Sequence, residues 1–192
     1  MVLILWLLLV LSAFYFFFLR FIQPFDRQNL YPLGQVNQLA LTGFIHQYLQ
    51  PSPLHRDDII IYHWLNPDCR CTVLGGNYIA RLAQQGVWQK VSHIIVVPAD
   101  KARRLLDQLP MLSGLSVMAL DEQAYQASVR LMPSAPAAMV YYHHSVSYFG
   151  PHSGGVLCGS GLSYVELVIN NLQNGFDPAL SQLDQQGCFC DW

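Results

Sequence analysis

Cys69 and Cys71 stand one residue apart in "YHWLNPDCRCTVLGG", Tyr62 to Gly76, where a β-branched run ends and a helix can begin. Thiolates attack disulfides and bind soft metals, so the pair reads as a redox couple, as half of a metal site, or as two buried thiols. The positive end of a helix lowers a thiol pKa without a dedicated base. Residues two apart inside a helix face nearly opposite sides, whereas in the turn before a helix their Cα atoms can fall within the roughly 4.4–6.8 Å that a disulfide tolerates. A Cys69–Cys71 bridge is therefore feasible only at the junction, in a small and easily reduced ring. Arg70 favours a thiolate there, while Asp68 disfavours one or accepts its proton.

A second pair with the same spacing, Cys188 and Cys190, lies in "QQGCFCDW". Three readings stand for it: a local or inter-segment disulfide, a relay that passes electrons to the first pair, or the other half of a four-thiolate zinc site. Cys158, in "GGVLCGSG", reads as a small buried hydrophobe, with a third redox or disulfide role left open. His63, His143 and His144 read as polar surface histidines, the metal alternative being that His143 or His144 completes a site with Cys69 and Cys71. Adjacent strand residues face opposite sides, so only one of that pair can point inward. Tyr141, Tyr142, Tyr148 and Phe149 read as strand packing. No Ser/His/Asp motif, phosphate loop or acidic metal cluster stands out, and no cofactor is implied.

The elements that must hold these residues follow from periodicity. A helix is expected over residues 37–49 and a buried strand over 58–64. Leu74, Tyr78 and Leu82 mark a helix from 72 to 85, with Gly86 placed to end it. Residues 93–98 form a second strand; Asp100 can cap a helix that stops at Pro110; 115–120 form a third strand; and Asp121 can cap a short helix through Val129. Residues 136–144 and 145–150 read as a hairpin, and Ser163 with Glu166 has capping-box spacing before a last helix that Gly175 can end. Strands alternating with helices imply an α/β fold whose mainly parallel sheet is covered on both faces, with an antiparallel hairpin at its end.

Residues 1–19 carry no charged side chain, and the apolar run continues past Arg20 to Ile22. That length suits an uncleaved transmembrane anchor over residues 1–22, followed by a Pro/Gly-bearing linker over 23–35. Arg20 and Arg27 after the span favour a cytoplasmic domain, whereas five cysteines, all beyond residue 68, favour an oxidising compartment. Residues 23–192 hold 9 Lys+Arg against 12 Asp+Glu, so nucleic acid binding has no electrostatic footprint.

Over residues 36–175 the chain resembles the thioredoxin-like superfamily, through the strand "IIIYHW" running into a cysteine motif, the proline before a later strand in "MPSAPAAMVYY", and the closing hairpin and helix. "NPDCRC" and "SYFGPHSGGVLCGSG" look more narrowly like uncharacterised membrane-anchored thioredoxin-like proteins of gammaproteobacteria. The resemblance implies a three-layer thioredoxin-like sandwich over residues 36–178, with a cysteine-containing tail over 179–192. It also implies a cis-proline facing the cysteines, for which Pro136 is the better match and Pro133 the runner-up. The superfamily's usual motif is CxxC; aligned without gaps, Asp68 falls at the attacking position and Cys71 at the resolving one. The function implied is a periplasm-facing thiol–disulfide oxidoreductase of the inner membrane, acting on protein thiols or disulfides. In it Cys69 forms the mixed disulfide, Cys71 resolves it and Pro136 shapes the peptide groove. The alternatives are a zinc- or copper-holding module and a non-catalytic interaction domain.

Overall fold

The computed structural model describes residues 2–32, 36–49, 59–84, 91–153 and 163–192; in the first helix the side chains of residues 17 and 19–21 also fall outside the description. The helices are α1 (Val2–Phe21), α2 (Gln38–Phe44), α3 (Arg70–Gln84), α4 (Ala102–Gln108), α5 (Glu122–Val129) and α6 (Tyr164–Gln173). The strands are β1 (Gln23–Pro24), β2 (Ile59–Trp64), β3 (Val91–Pro98), β4 (Ser116–Leu120), β5 (Ser134–Ala135), β6 (Ala137–Tyr142), β7 (Ser145–Gly150), β8 (Leu180–Ser181), β9 (Gln186–Gly187) and β10 (Cys190–Asp191). Six of them form one mixed sheet in the order β4-β3-β2-β6-β7-β8. The β2–β3, β3–β4 and β7–β8 pairings are parallel, and β2–β6 and β6–β7 are antiparallel, so β6 alone runs against the rest.

Every residue of β2 is buried, as a run apolar at every position but His63 suits a strand covered on both faces. Alternation sends Ile60, Tyr62 and Trp64 into one core with Leu41 and Phe44 of α2, the π-helical turn Ile45–Leu49 and Ala124 of α5. Ile59, Ile61 and Leu65 enter the opposite core, against Tyr78, Ile79 and Leu82 of α3, Leu105 of α4 and Val165, Val168 and Ile169 of α6. Capping follows the sequence in two places: Asp121 accepts from the Ala124 N–H at 2.8 Å, and Ser163 accepts from the Glu166 N–H at 3.2 Å. Gly175, at φ +79°, closes α6: its N–H reaches the Leu172 carbonyl and the Phe176 N–H reaches that of Asn171.

Several expectations are corrected. Asp100 does not cap α4; it lies in a 3₁₀ turn, Ala99–Lys101, that precedes the helix. The strand expected to reach residue 144 ends at Tyr142, because His143 and His144, at φ 47° and 65°, make the two-residue turn of the hairpin and are exposed. Left-handed backbone at both positions matches strand twist, and histidine tolerates it better than most residues. Residues expected as a linker are packed into the body: β1 pairs with β9, Phe25 is fully buried, and the Tyr31 hydroxyl donates to the Leu131 carbonyl. The expected tail is likewise structural, supplying β8, β9 and β10. Gly86 and Cys158 lie outside the described residues.

The 20-residue helix α1 leaves its apolar side chains exposed, from Val2 and Leu3 to Phe16 and Phe18. Counting described side chains alone, no helix is long and apolar enough to cross a membrane.

Gly76 sits in α3 where a Cβ would lie 2.7 Å from a terminal methyl of buried Leu109. A Gly76→Val change gains at most about 0.5 kcal/mol of helix propensity, and overpacking costs about 1–3 kcal/mol. The variant is expected to unfold about 1–2 kcal/mol more easily in denaturant titration; wild-type stability would show that the α3–Leu109 contact is looser than this.

Candidate functional site

After β2 the chain turns sharply. The Leu65 N–H donates to the Val96 carbonyl of β3, the Asn66 side-chain oxygen accepts from the Asp68 N–H at 3.1 Å, and the Asn66 carbonyl accepts from the Cys69 N–H at 3.0 Å. This turn delivers Cys69 to the position just before α3 and Cys71 into its first turn. The Cys69–Cys71 bridge that the junction makes feasible is not formed. Cys69 is bonded to Cys190 and Cys71 to Cys188, with Cα separations of 5.7 and 5.5 Å. Of the readings open for the second pair, the inter-segment disulfide is the one found. The cause lies in the tail: β10 pairs antiparallel with β5, placing Cys190 opposite Ala135 and laying the second cysteine pair alongside the first. Cys71, in the first turn of α3, is thereby bonded to Cys188 and not to its near neighbour. The sulfurs of Cys69, Cys71 and Cys190 nevertheless lie within 4.8 Å of one another.

Pro136 is where the resemblance placed it. The Ala135–Pro136 peptide bond is cis, and the Ala135 carbonyl oxygen lies 3.6 Å from Cys69 Sγ. The face beside this proline is not open, because β10 lies on it. Phe189 packs edge-on against Phe25 at 5.2 Å, and the Trp192 ring meets Trp64 at 5.4 Å while its Nε1 donates to Ser128 Oγ at 2.7 Å. The Asn66 amide also donates to the Asp191 carbonyl at 3.3 Å. Cys69, Cys71 and Cys188 are buried in consequence, and Cys190 is half-buried. Asp68, at the attacking position of the ungapped alignment, is held by Lys101 Nζ at 2.7 Å and Arg104 Nη1 at 2.6 Å. The hydrogen bond from Lys101 keeps its carboxyl below the usual carboxylate range, so Asp68 anchors α4 and is a poor proton acceptor.

The structure overturns one further expectation: His63 is not a surface residue. It is fully buried at the centre of a row of three imidazoles. His63 Nδ1 lies 2.9 Å from His152 Nε2, and His63 Nε2 lies 2.9 Å from His93 Nδ1. Successive rings are parallel to within 4°, with centroids 5.2 Å apart. Burial holds His93 down to about 4 and His152 to about 3, and it drives His63 well below the ordinary histidine range with help from both neighbours. All three are neutral at neutral pH, so each hydrogen bond joins one ring N–H to one bare nitrogen. His152 lines a small pocket with Tyr78, Pro136, Cys188 and Phe189. The signal for this row was present in the sequence: His63 shares the parity of Ile59 and Ile61, and His93 that of Ile95 and Val97.

The two disulfides are nested. Either alone closes a loop of well over 100 residues, the separations being 121 and 117. The second then closes only the six-residue ring 69–71 plus 188–190. Loop entropy assigns about 5 kcal/mol to the first closure and about 2 to the second. Serine replacement of either bonded pair is expected to cost about 2 kcal/mol in denaturant unfolding, and replacement of both about 7. A double replacement that costs no more than the two single losses added together would refute this nesting.

In comparisons with known proteins, no curated protein matches the chain. Two solved structures share its fold: a hypothetical protein of Sinorhizobium meliloti 1021, at 14% identity and TM-score 0.50, and an uncharacterized conserved protein of Geobacillus kaustophilus, at 14% identity and TM-score 0.51. The first alignment covers 71% of this chain and 79% of that one, the second 72% and 79%. A family model described as a domain of unknown function, DUF6436, matches residues 42–192, and the chain belongs to that family.

Proposed function

We propose that the protein is a thiol–disulfide oxidoreductase of thioredoxin-like fold, anchored in the inner membrane by α1, with its domain in the periplasm and with protein thiols or disulfides as partners. The observation that carries this reading is the pair of disulfides meeting at the start of α3 beside cis-Pro136, with three sulfurs within 4.8 Å. A strand running into cysteines at a helix start, with an antiparallel strand following the cis-proline, is the arrangement that the resemblance implies.

Exposure sets the order of events. Cys190 is the half-exposed sulfur and Cys69 the buried one, so a partner thiolate attacks Cys190. The Cys69–Cys190 bond breaks and its electron pair leaves on Cys69, a thiolate favoured by the helix N-terminus. The partner's second thiolate then attacks its own sulfur in the mixed disulfide, which frees Cys190 and leaves the partner oxidised. The Cys69 thiolate lies within 4.8 Å of Cys71 Sγ and attacks it, forming a Cys69–Cys71 disulfide and expelling Cys188 as a thiolate. Two electrons thus pass from the partner to Cys188 and Cys190. Pro136 shapes a groove that β10 fills in the oxidised protein.

The cysteine bonding suits an oxidising compartment. A 20-residue helix rises about 30 Å, the thickness of a bilayer core, and the described apolar side chains of α1 find no cover among the described residues.

In cells, Cys69→Ser leaves the Cys190 thiolate free to attack the oxidised partner, the same exchange run in reverse, with no Cys69 to resolve the adduct; mixed disulfides on Cys190 are expected to accumulate, seen as bands in non-reducing electrophoresis that vanish in the Cys69→Ser/Cys190→Ser double variant. No adduct in either strain, together with stoichiometric zinc retained by the reduced protein, would favour the metal-holding alternative instead. The full chain is expected to stay with membranes through an alkaline wash, and a chain lacking residues 2–21 to be released; a full chain found in the wash would sink the anchor.

A further inference from the structure

The row His93–His63–His152 joins two environments. His93 is half-buried on the part of β3 nearest solvent, His63 is sealed inside the sheet, and His152 lines the pocket that Cys188 also lines. Both inter-ring contacts are 2.9 Å, and the rings are parallel to within 4°. Centroids 5.2 Å apart with nitrogens at 2.9 Å place the rings edge to edge, so the hydrogen bonds run along the row and not between stacked faces.

Strand register builds the row. Ile61 pairs with His93 across β2–β3, so His63, two residues on, lies diagonally beside His93 on the same face. That face is otherwise apolar, formed by Ile59, Ile61, Ile95 and Val97 under α3. Aliphatic side chains would fill the layer without desolvating three imidazoles, so burial alone gives no reason for histidine at these positions.

We infer that the row is a proton conduit from solvent at His93 to the pocket at Cys188, where it protonates the thiolate expelled when the Cys71–Cys188 disulfide opens. This rests on the disulfide exchange proposed above. When Cys69 attacks Cys71, the electron pair of the Cys71–Cys188 bond goes to Cys188, a buried sulfur on which a charge is costly. His152 gives up a ring proton across the pocket, His63 replaces it through its Nδ1, His93 replaces that of His63, and solvent reprotonates His93. Each ring gains one proton as it loses one, so no net charge stays in the layer. Reversal of the three tautomers resets the row. His152 touches the reacting pocket; His63 and His93 act through it.

The test is the opening of each disulfide of the full chain by dithiothreitol, stopped by alkylation and read by peptide mass spectrometry. Glutamine at position 93 can keep a hydrogen bond to His63 but cannot pass a proton. His93→Gln is expected to slow alkylation of Cys188 about a hundredfold, the scale of a lost general acid, while opening of Cys69–Cys190 is unchanged. In wild-type protein, heavy water is expected to slow Cys188 release more than Cys69 release, a readout that needs no variant and that a purely structural row would not give. Equal isotope effects on the two steps, or a folded His93→Gln protein that releases Cys188 at the wild-type rate, would overturn the conduit while leaving the oxidoreductase reading intact. Wild-type disulfides that never open would overturn both.

Discussion

Everything at the cysteine end depends on one short pairing, that of β10 with β5. Two residues of the tail lie antiparallel to Ser134–Ala135, and this register sets Cys190 against Cys69. Such a ladder is too short to hold by itself. It is secured by the rings around it, with Trp192 between Trp64 and Tyr125 and Phe189 against Phe25. The disulfides then fix covalently what the aromatic contacts have aligned. Part of the apolar core around Trp64 is therefore completed from the far end of the chain, and the same far end supplies β9, with which β1 pairs.

The two sides of the sheet carry different duties. The side of Tyr62 and Trp64 is an aromatic layer in which the Trp64 Nε1 and Tyr62 hydroxyl are buried without a partner among the described residues. That cost is offset by the area those rings bury. The opposite side is mainly aliphatic, with Tyr78 and Tyr148 and the histidine row set into it, and the row satisfies itself nitrogen to nitrogen. A polar group can persist in such a layer only if its partners are polar too, so the three imidazoles stand or fall together. Asp68 belongs to neither layer; with Lys101 and Arg104 it ties the cysteine turn to α4 at the surface, where such pairs contribute little to stability.

Much of the architecture was legible because it is local. β2 and β3 announce themselves as β-branched runs, β4 as a short apolar one, Asp121 and Ser163 as caps, Gly175 as a stop, and the hairpin by its position. Pro136 was legible through resemblance. What escaped was long-range. No local signal says that Gln186 and Cys190 find strands at Pro24 and Ala135, because two-residue ladders leave no periodicity to read. His63 was misplaced because a lone histidine suggests solvent, although its parity with Ile59 and Ile61 pointed inward. The bond partners of Cys69 and Cys71 could not be decided from spacing, since the choice was made by a segment more than 100 residues away.

The nested bridges also change what kind of object the polypeptide is. With Cys71 joined to Cys188, the 116 intervening residues form a closed covalent hoop. Hydrolysis of any peptide bond inside it opens the hoop without severing the molecule. A protease that nicks the domain therefore leaves a particle of unchanged mass, apart from one added water, and only reduction lets the halves separate.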